Sequence, residues 1–142
     1  MLNTKKMNED YYFGEEQERI QHELLNSLHE TQLEKTKRYA IFDYKSKGIF
    51  IELKTRRSSI NLYPTTMLPY NKIKKAEKYL AEGNEVWFYF KYPEGLYRWK
   101  YSPADYTEKD IRTGGRFDRG TAEISQYLYI GVDKLKSIED LE

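Results

Sequence analysis

Residues 39–57 read Tyr-Ala-Ile-Phe-Asp-Tyr-Lys-Ser-Lys-Gly-Ile-Phe-Ile-Glu-Leu-Lys-Thr-Arg-Arg, two apolar runs parted by a polar Lys-Ser-Lys-Gly turn. That is a hairpin signal, and it constrains the rest of the chain because one face of the hairpin must be buried. With residues 45–48 as the loop, Tyr44 faces Ile49 and Asp43 faces Phe50. Side chains alternate along a strand, so Asp43, Glu52 and Lys54 share one face, and Phe42, Tyr44, Ile49, Ile51 and Leu53 form an apolar set on the other. Asp43 and Glu52 then become diagonal neighbours roughly 7–8 Å apart. Both carboxylates can reach one hard cation, whose oxygen ligands lie at about 2.0–2.1 Å in the case of magnesium. Slipping the register by one residue would turn Asp43 into the apolar face, so the pattern itself favours this pairing.

An acid-x-Lys triplet is common in a chain that is 33% charged, and Asp43-Tyr44-Lys45 is a second instance. Glu52-Leu53-Lys54 differs because its strand has an apolar opposite face and an acid at the matching position of the partner strand. Asp43, followed by Glu52-Leu53-Lys54 in the next strand, resembles the active-site motif of the PD-(D/E)xK nuclease superfamily, in particular its small phage, viral or Holliday-junction-resolvase-like endonucleases. Phe42 stands where that motif usually has proline. The run Gly14-x-x-x-Glu18-Arg19 is similar to the opening helix of small resolvase-type members, whose glutamate completes the acidic cluster; the alternative is a surface glutamate favoured by the helix dipole.

The resemblance covers about residues 14–101. It implies a restriction-endonuclease-like fold and a deoxyribonuclease that hydrolyses phosphodiesters in DNA, with Mg2+ or Mn2+ as cofactor. Asp43 and Glu52 would hold the cation, the Leu53 carbonyl would be a further ligand, and Glu18 would contribute through water. Lys54 would orient the attacking water or neutralise developing charge. A resolvase also needs two sites and hence a homodimer.

At 142 residues the chain is long enough for one domain with a real core. The absence of cysteine rules out a disulfide scaffold and a thiolate metal site. His22 and His29 are too widely spaced to chelate. No apolar run reaches the ~18 residues of a membrane span, and the amino terminus lacks a signal-peptide core. The expectation is a soluble intracellular protein of cytoplasm or nucleus, phage- or virus-encoded if the resemblance holds, with no membrane partner.

The net charge of +1 does not point to nucleic acid, but its distribution does. Residues 35–78 carry twelve Lys/Arg against three acids, whereas residues 1–34 carry eight acids against three bases. The basic block surrounds the hairpin and the element after it.

In chain order, residues 1–10 read as a polar flexible tail. Residues 14–30 read as a helix with Ile20, Leu24, Leu25 and Leu28 on one stripe and Glu18 at its edge. Residues 31–37 are a charged connector. Arg56 and Arg57 follow the hairpin, and residues 60–63 read as a short extended piece. A second helix is capped by Thr65 or Thr66, has Pro69 in its first turn and stops at Gly83. Its buried stripe is Ile73, Ala76 and Leu80; Lys74, Lys75 and Lys78 lie opposite, with Lys72 toward the flank. These lysines either hold DNA or merely face water.

Residues 85–92 and 96–101 form a second, aromatic hairpin whose rings are read as core rather than as base-stacking groups. Residues 102–122 read as a loop in which Arg112, Arg116 and Arg119 alternate with glycines. Glycines let backbone approach a phosphate that guanidinium forks can grip, and a bland flexible loop is the alternative. Residues 125–132 form a last strand and 133–142 an acidic flexible tail.

The fold expected is α/β (α+β), a single domain with a central mixed sheet of about five strands flanked by helices. The functional expectation is a metal-dependent DNA endonuclease, with branched or structured DNA one substrate class alongside duplex, flap and free end. A nuclease-derived module that binds nucleic acid without cutting, and a protein-interaction domain with incidental acids, are the alternatives.

Overall fold

The computed structural model describes residues 4–37, 40–116 and 123–141. The chain divides into two compact units, residues 1–35 and 36–142.

The first unit is helix α1 (Thr4–His29) followed by a short extended piece, β1 (Glu34–Lys35). The helix begins at Thr4, inside the segment expected to be a tail. Gln21 and Leu25 are buried, but Ile20, expected on the buried stripe, is 47% exposed. The helix ends where Glu30 adopts a positive φ of 51°. Asn26 then accepts a hydrogen bond from the Leu33 amide at 2.8 Å, and His22 Nε2 meets the Leu33 carbonyl at 2.7 Å. His22 is thereby a tether for the chain leaving the helix.

The second unit contains β2 (Tyr44–Ser46), β3 (Ile49–Thr55), β4 (Thr65–Pro69), α2 (Tyr70–Ala81), β5 (Glu85–Tyr92), β6 (Gly95–Lys100), β7 (Ile111–Arg116), β8 (Glu123–Gly131) and β9 (Lys136–Ser137). Within this unit, β2, β3, β5, β6 and β9 are neighbours in that order in a mixed sheet, and β4, β8 and β7 form a second, three-stranded sheet. β3 and β5 run parallel, with Glu52 opposite Phe88. Parallel neighbours need a crossover, which β4 and α2 provide. The result is the mixed α+β, restriction-endonuclease-like architecture.

The core lies between the mixed sheet and the layer made by α2 and the second sheet. Phe88 and Phe90 from β5, Ile73 and Ala76 from α2, Leu68 from β4, and Leu128 and Ile130 from β8 are all at most 1% exposed. Aromatic side chains supply much of this core, with the Phe88 ring 6.0 Å from Phe42 and 5.6 Å from Trp99. The aromatic hairpin is therefore core, as its strand propensity indicates. On the other face of the mixed sheet Tyr44, Ile51 and Tyr89 are buried too.

Several local expectations are corrected. Thr65 and Thr66 are strand residues rather than helix caps: in β4 burial alternates, with Thr66 and Leu68 inward, and the residue before α2 is Pro69. Residues 60–63 are turn, not strand. Leu80 is exposed, because Tyr79 covers that end of the helix by stacking on Phe50 at 3.9 Å. Gly83 does stop the helix, at φ 92°.

The expected loop at 102–122 contains two 3-10 turns and all of β7, which pairs with β8. Gly114 serves packing there, since a Cβ would collide with the Tyr129 hydroxyl. The expected carboxy-terminal tail contributes β9, which pairs with β6 through Tyr97–Ser137 and Arg98–Lys136. Among the described residues no helix is long and apolar enough to cross a membrane.

Candidate active site

The β2–β3 hairpin turns through Lys47 and Gly48 alone, with Gly48 at φ 78° and Tyr44 opposite Ile51. The register is displaced by two residues from the one expected. A displacement of two preserves which side chains share a face, so Glu52 and Lys54 still project together with Phe50, and Tyr44 and Ile51 oppose them.

Asp43 reaches β3 by a different route. Residues 41–43 form a bend rather than a strand, and the Asp43 carboxylate accepts a hydrogen bond from the Leu53 amide at 2.8 Å. Its own carbonyl accepts from the Thr36 amide at 2.9 Å, which anchors the bend. The same bend turns Phe42 away from Tyr44 and Ile51 and into the α2-side core, 6.0 Å from Phe50 and 5.9 Å from Tyr79. Strand alternation places Phe42 on the opposite face; it fails there because the chain is not extended. Leu53 is half-buried rather than fully buried.

Glu52 is only 2% exposed, and a buried carboxylate needs a cation or hydrogen-bond donors. Lys72, from the first turns of α2, provides one: its ammonium forms an ion pair with Glu52 Oε2 and donates to the Ile41 carbonyl at 2.6 Å. Lys54 Nζ stands 4.0 Å from the same carboxylate oxygen. Burial pushes both ammonium groups below the ordinary lysine range, and the nearby Asp43 charge opposes that shift in each.

Asp43, Glu52, Lys54 and Lys72 thus form one cluster of two carboxylates and two ammonium groups. Lys72 was expected on the helix flank as a DNA contact; its ammonium instead faces Glu52. The signal was available, since Lys72 lies four residues before buried Ala76 and one before buried Ile73.

Among the described residues no group of three or more His, Cys, Asp or Glu is placed to hold a metal. Glu18 belongs to the other compact unit, where it pairs with Lys35 at 2.9 Å. Asp43 and Glu52 nonetheless suit magnesium or manganese in kind. These are hard oxygen donors, and magnesium typically takes one or two carboxylates and completes its shell with water and phosphate oxygen.

The basic residues separate into distinct environments. Arg56 is a strut: it donates to the Met67 carbonyl at 2.7 Å and to Thr66 Oγ1 at 3.3 Å, tying the end of β3 to β4. Its guanidinium is thereby held against β4. Arg57 is exposed. On α2, Lys74 and Lys78 are exposed and Lys75 half-buried; Lys74 lies over the Tyr70 ring, Lys75 over Tyr79, and Lys78 is 4.0 Å from Glu82. Arg112 lies on strand β7 with its guanidinium 4.1 Å from the Tyr129 ring centre. Arg116 ends β7, and Arg119 lies outside the described residues. A cleft of about 850 Å³ opens beside Lys54 and Arg57.

A family model described as "Phage putative PDDEXK endonuclease" matches residues 13–138. No curated protein and no solved structure matches the chain.

Proposed function

Because the chain belongs to the family of phage PDDEXK endonucleases, we propose that it is a magnesium- or manganese-dependent endonuclease that hydrolyses phosphodiester bonds in DNA. The observation that carries this reading is the convergence of the Asp43 carboxylate, the buried Glu52 carboxylate and the Lys54 ammonium on β3. Asp43 and Glu52 would hold the divalent ion, with the Leu53 carbonyl as a further ligand. The ion supplies charge neutralisation at the phosphate and acidifies water.

The protein's own groups do the rest. The Leu53 amide fixes the Asp43 carboxylate against β3. Lys54, a donor only while protonated, is positioned to hold a phosphate oxygen or an attacking water. Lys72 pairs with the buried Glu52 carboxylate and offsets its charge. Arg57, Lys74, Lys75 and Lys78 lie on exposed or half-exposed surface suited to backbone phosphates, a mode of contact that positions substrate without reading sequence.

The test is the purified chain with magnesium, with manganese and with chelator against linear, branched and single-stranded DNA. Cleavage that depends on the ion is the expected result; none with either ion on any substrate would overturn the proposal. A second measurement concerns the helix face. Changing Lys74, Lys75 and Lys78 together to Ala should weaken duplex binding and reduce the slope of log affinity against log salt by about 0.9 for each phosphate no longer neutralised. An unchanged slope would mean that this face is only hydrated.

A further inference from the structure

We propose that the cleft beside Lys54 takes one unstacked nucleotide of the substrate strand, so that the enzyme engages DNA where a base is unpaired. This rests on the nuclease reading for the identity of the ligand as DNA, and it adds a substrate class that the catalytic cluster alone does not specify.

The cleft measures about 850 Å³, within the range of sites that enclose a small molecule. Its lining includes Lys54 and Arg57 as cations, Tyr63, Tyr92 and Tyr127 as aromatic surfaces and, among the described residues, no aspartate or glutamate. Cationic groups beside aromatic faces match a nucleotide, which carries a phosphate at one end and a flat base at the other. Rings accept any base by stacking, while the cations hold the phosphate. Lys54 belongs both to this lining and to the Glu52 cluster, so a nucleotide seated here would lie next to the candidate reacting phosphate.

The wall that displays Tyr63 is fixed rather than slack. Ser59 Oγ donates to Glu94 Oε1 at 2.5 Å, and the Ile60 amide donates to the same oxygen at 2.7 Å. At the other end the Val132 amide donates to the Pro64 carbonyl at 2.9 Å. Between these anchors Leu62 is 58% and Tyr63 62% exposed, two of the four large apolar side chains most open to solvent among the described residues. Tyr63 thus presents an open ring face on an anchored turn, and pinning reduces the entropy lost when a base stacks on it. Tyr92, only 4% exposed, and half-buried Tyr127 form fixed surfaces deeper in the cleft.

The experiment is fluorescence anisotropy with the full chain in chelator, so that binding is read without cleavage. The probes are a labelled single strand, a blunt duplex of the same sequence, and that duplex carrying a short single-stranded flap. Wild type should bind the strand and the flap more tightly than the blunt duplex. Tyr63→Ala should lose about fivefold or more on those two, the effect of one base–aromatic stack, with duplex affinity unchanged. Tyr63→Trp should restore it. Thermal melting controls for the fold, and the exposure of Tyr63 makes a loss of stability unexpected.

Equal affinity of wild type for strand and blunt duplex, or an equal loss on all three probes in Tyr63→Ala, would overturn the proposal. Failure of the nuclease reading would show itself elsewhere, as absence of cleavage by wild type in magnesium, and would leave this binding comparison intact.

Discussion

Glu52→Gln is expected to lose DNA cleavage in magnesium by about two orders of magnitude or more, because under the proposed function it would remove one of the two anionic ligands of the divalent ion. The side chain keeps its size and its place in β3. It also loses the charge that Lys72 pairs with in a position only 2% exposed, so a stability loss of about 1–3 kcal/mol accompanies it. Lys72 keeps its bond to the Ile41 carbonyl, which limits that loss. DNA affinity in chelator should be retained or rise, since one carboxylate no longer repels phosphate. Lys54→Ala should also lose cleavage, with DNA affinity falling by no more than one phosphate contact, and with a smaller change in stability, because its ammonium is 4.0 Å from the carboxylate rather than touching it. Nicking rate, anisotropy and thermal melting of both variants are the measurements. Cleavage by Glu52→Gln at the wild-type rate would mean that the chemistry happens elsewhere.

Phe88→Ala should cost about 3–5 kcal/mol, the range for truncating a buried phenylalanine, and thereby a large part of the roughly 5–15 kcal/mol that ordinary domains possess. Phe88 is fully buried, and its ring is surrounded by other rings, with Phe42 and Trp99 within 6.0 Å. Rigid rings collapse poorly into a void, so little of the packing is recovered. Because Phe88 is also the strand partner of Glu52, cleavage should fall further than the folded fraction alone explains. Leu62→Ala, at an exposed position, should change stability by less than about 0.5 kcal/mol. Urea denaturation of both variants checks this, and comparable midpoints would show that the aromatic layer does not carry the core.

What the sequence makes legible follows from periodicity. In β3 the alternation of Ile51 with Glu52 and Lys54 yields the correct faces despite a register displaced by two, because only odd displacements exchange faces. The aromatic hairpin of β5 and β6 and the Ile73–Ala76 side of α2 are likewise readable from period two and period 3.6. Features set by tertiary contacts are not. Nothing local marks residues 41–43 as a bend, since Ile41, Phe42 and Asp43 continue an apparent strand; the bend is held by Thr36, five residues earlier than Ile41. β7 is hidden because Gly114 and Gly115 erase the alternation that would identify a strand. Lys72 passes for surface in its company of lysines, although its spacing to Ala76 puts it on the buried flank. Arg56 and Arg112 are basic by type, and type does not reveal that one is a strut between strands and the other lies over a tyrosine ring.

The parallel pairing of β3 with β5 also sets when the site can come into existence. Glu52 and Phe88 are thirty-six residues apart in the chain, and every residue of β4 and α2 lies between them. Closing a non-local pair of this kind costs chain entropy before any contact repays it, which makes such topologies slow to form. Lys72 lies inside that same segment and reaches Glu52 only once α2 has docked. A ribosome-bound fragment ending before residue 85 therefore has the Asp and Glu-x-Lys residues in its sequence but neither the strand that flanks Glu52 nor its aromatic floor. Under the proposed function, an unfinished chain would therefore have no cutting power until the crossover has closed.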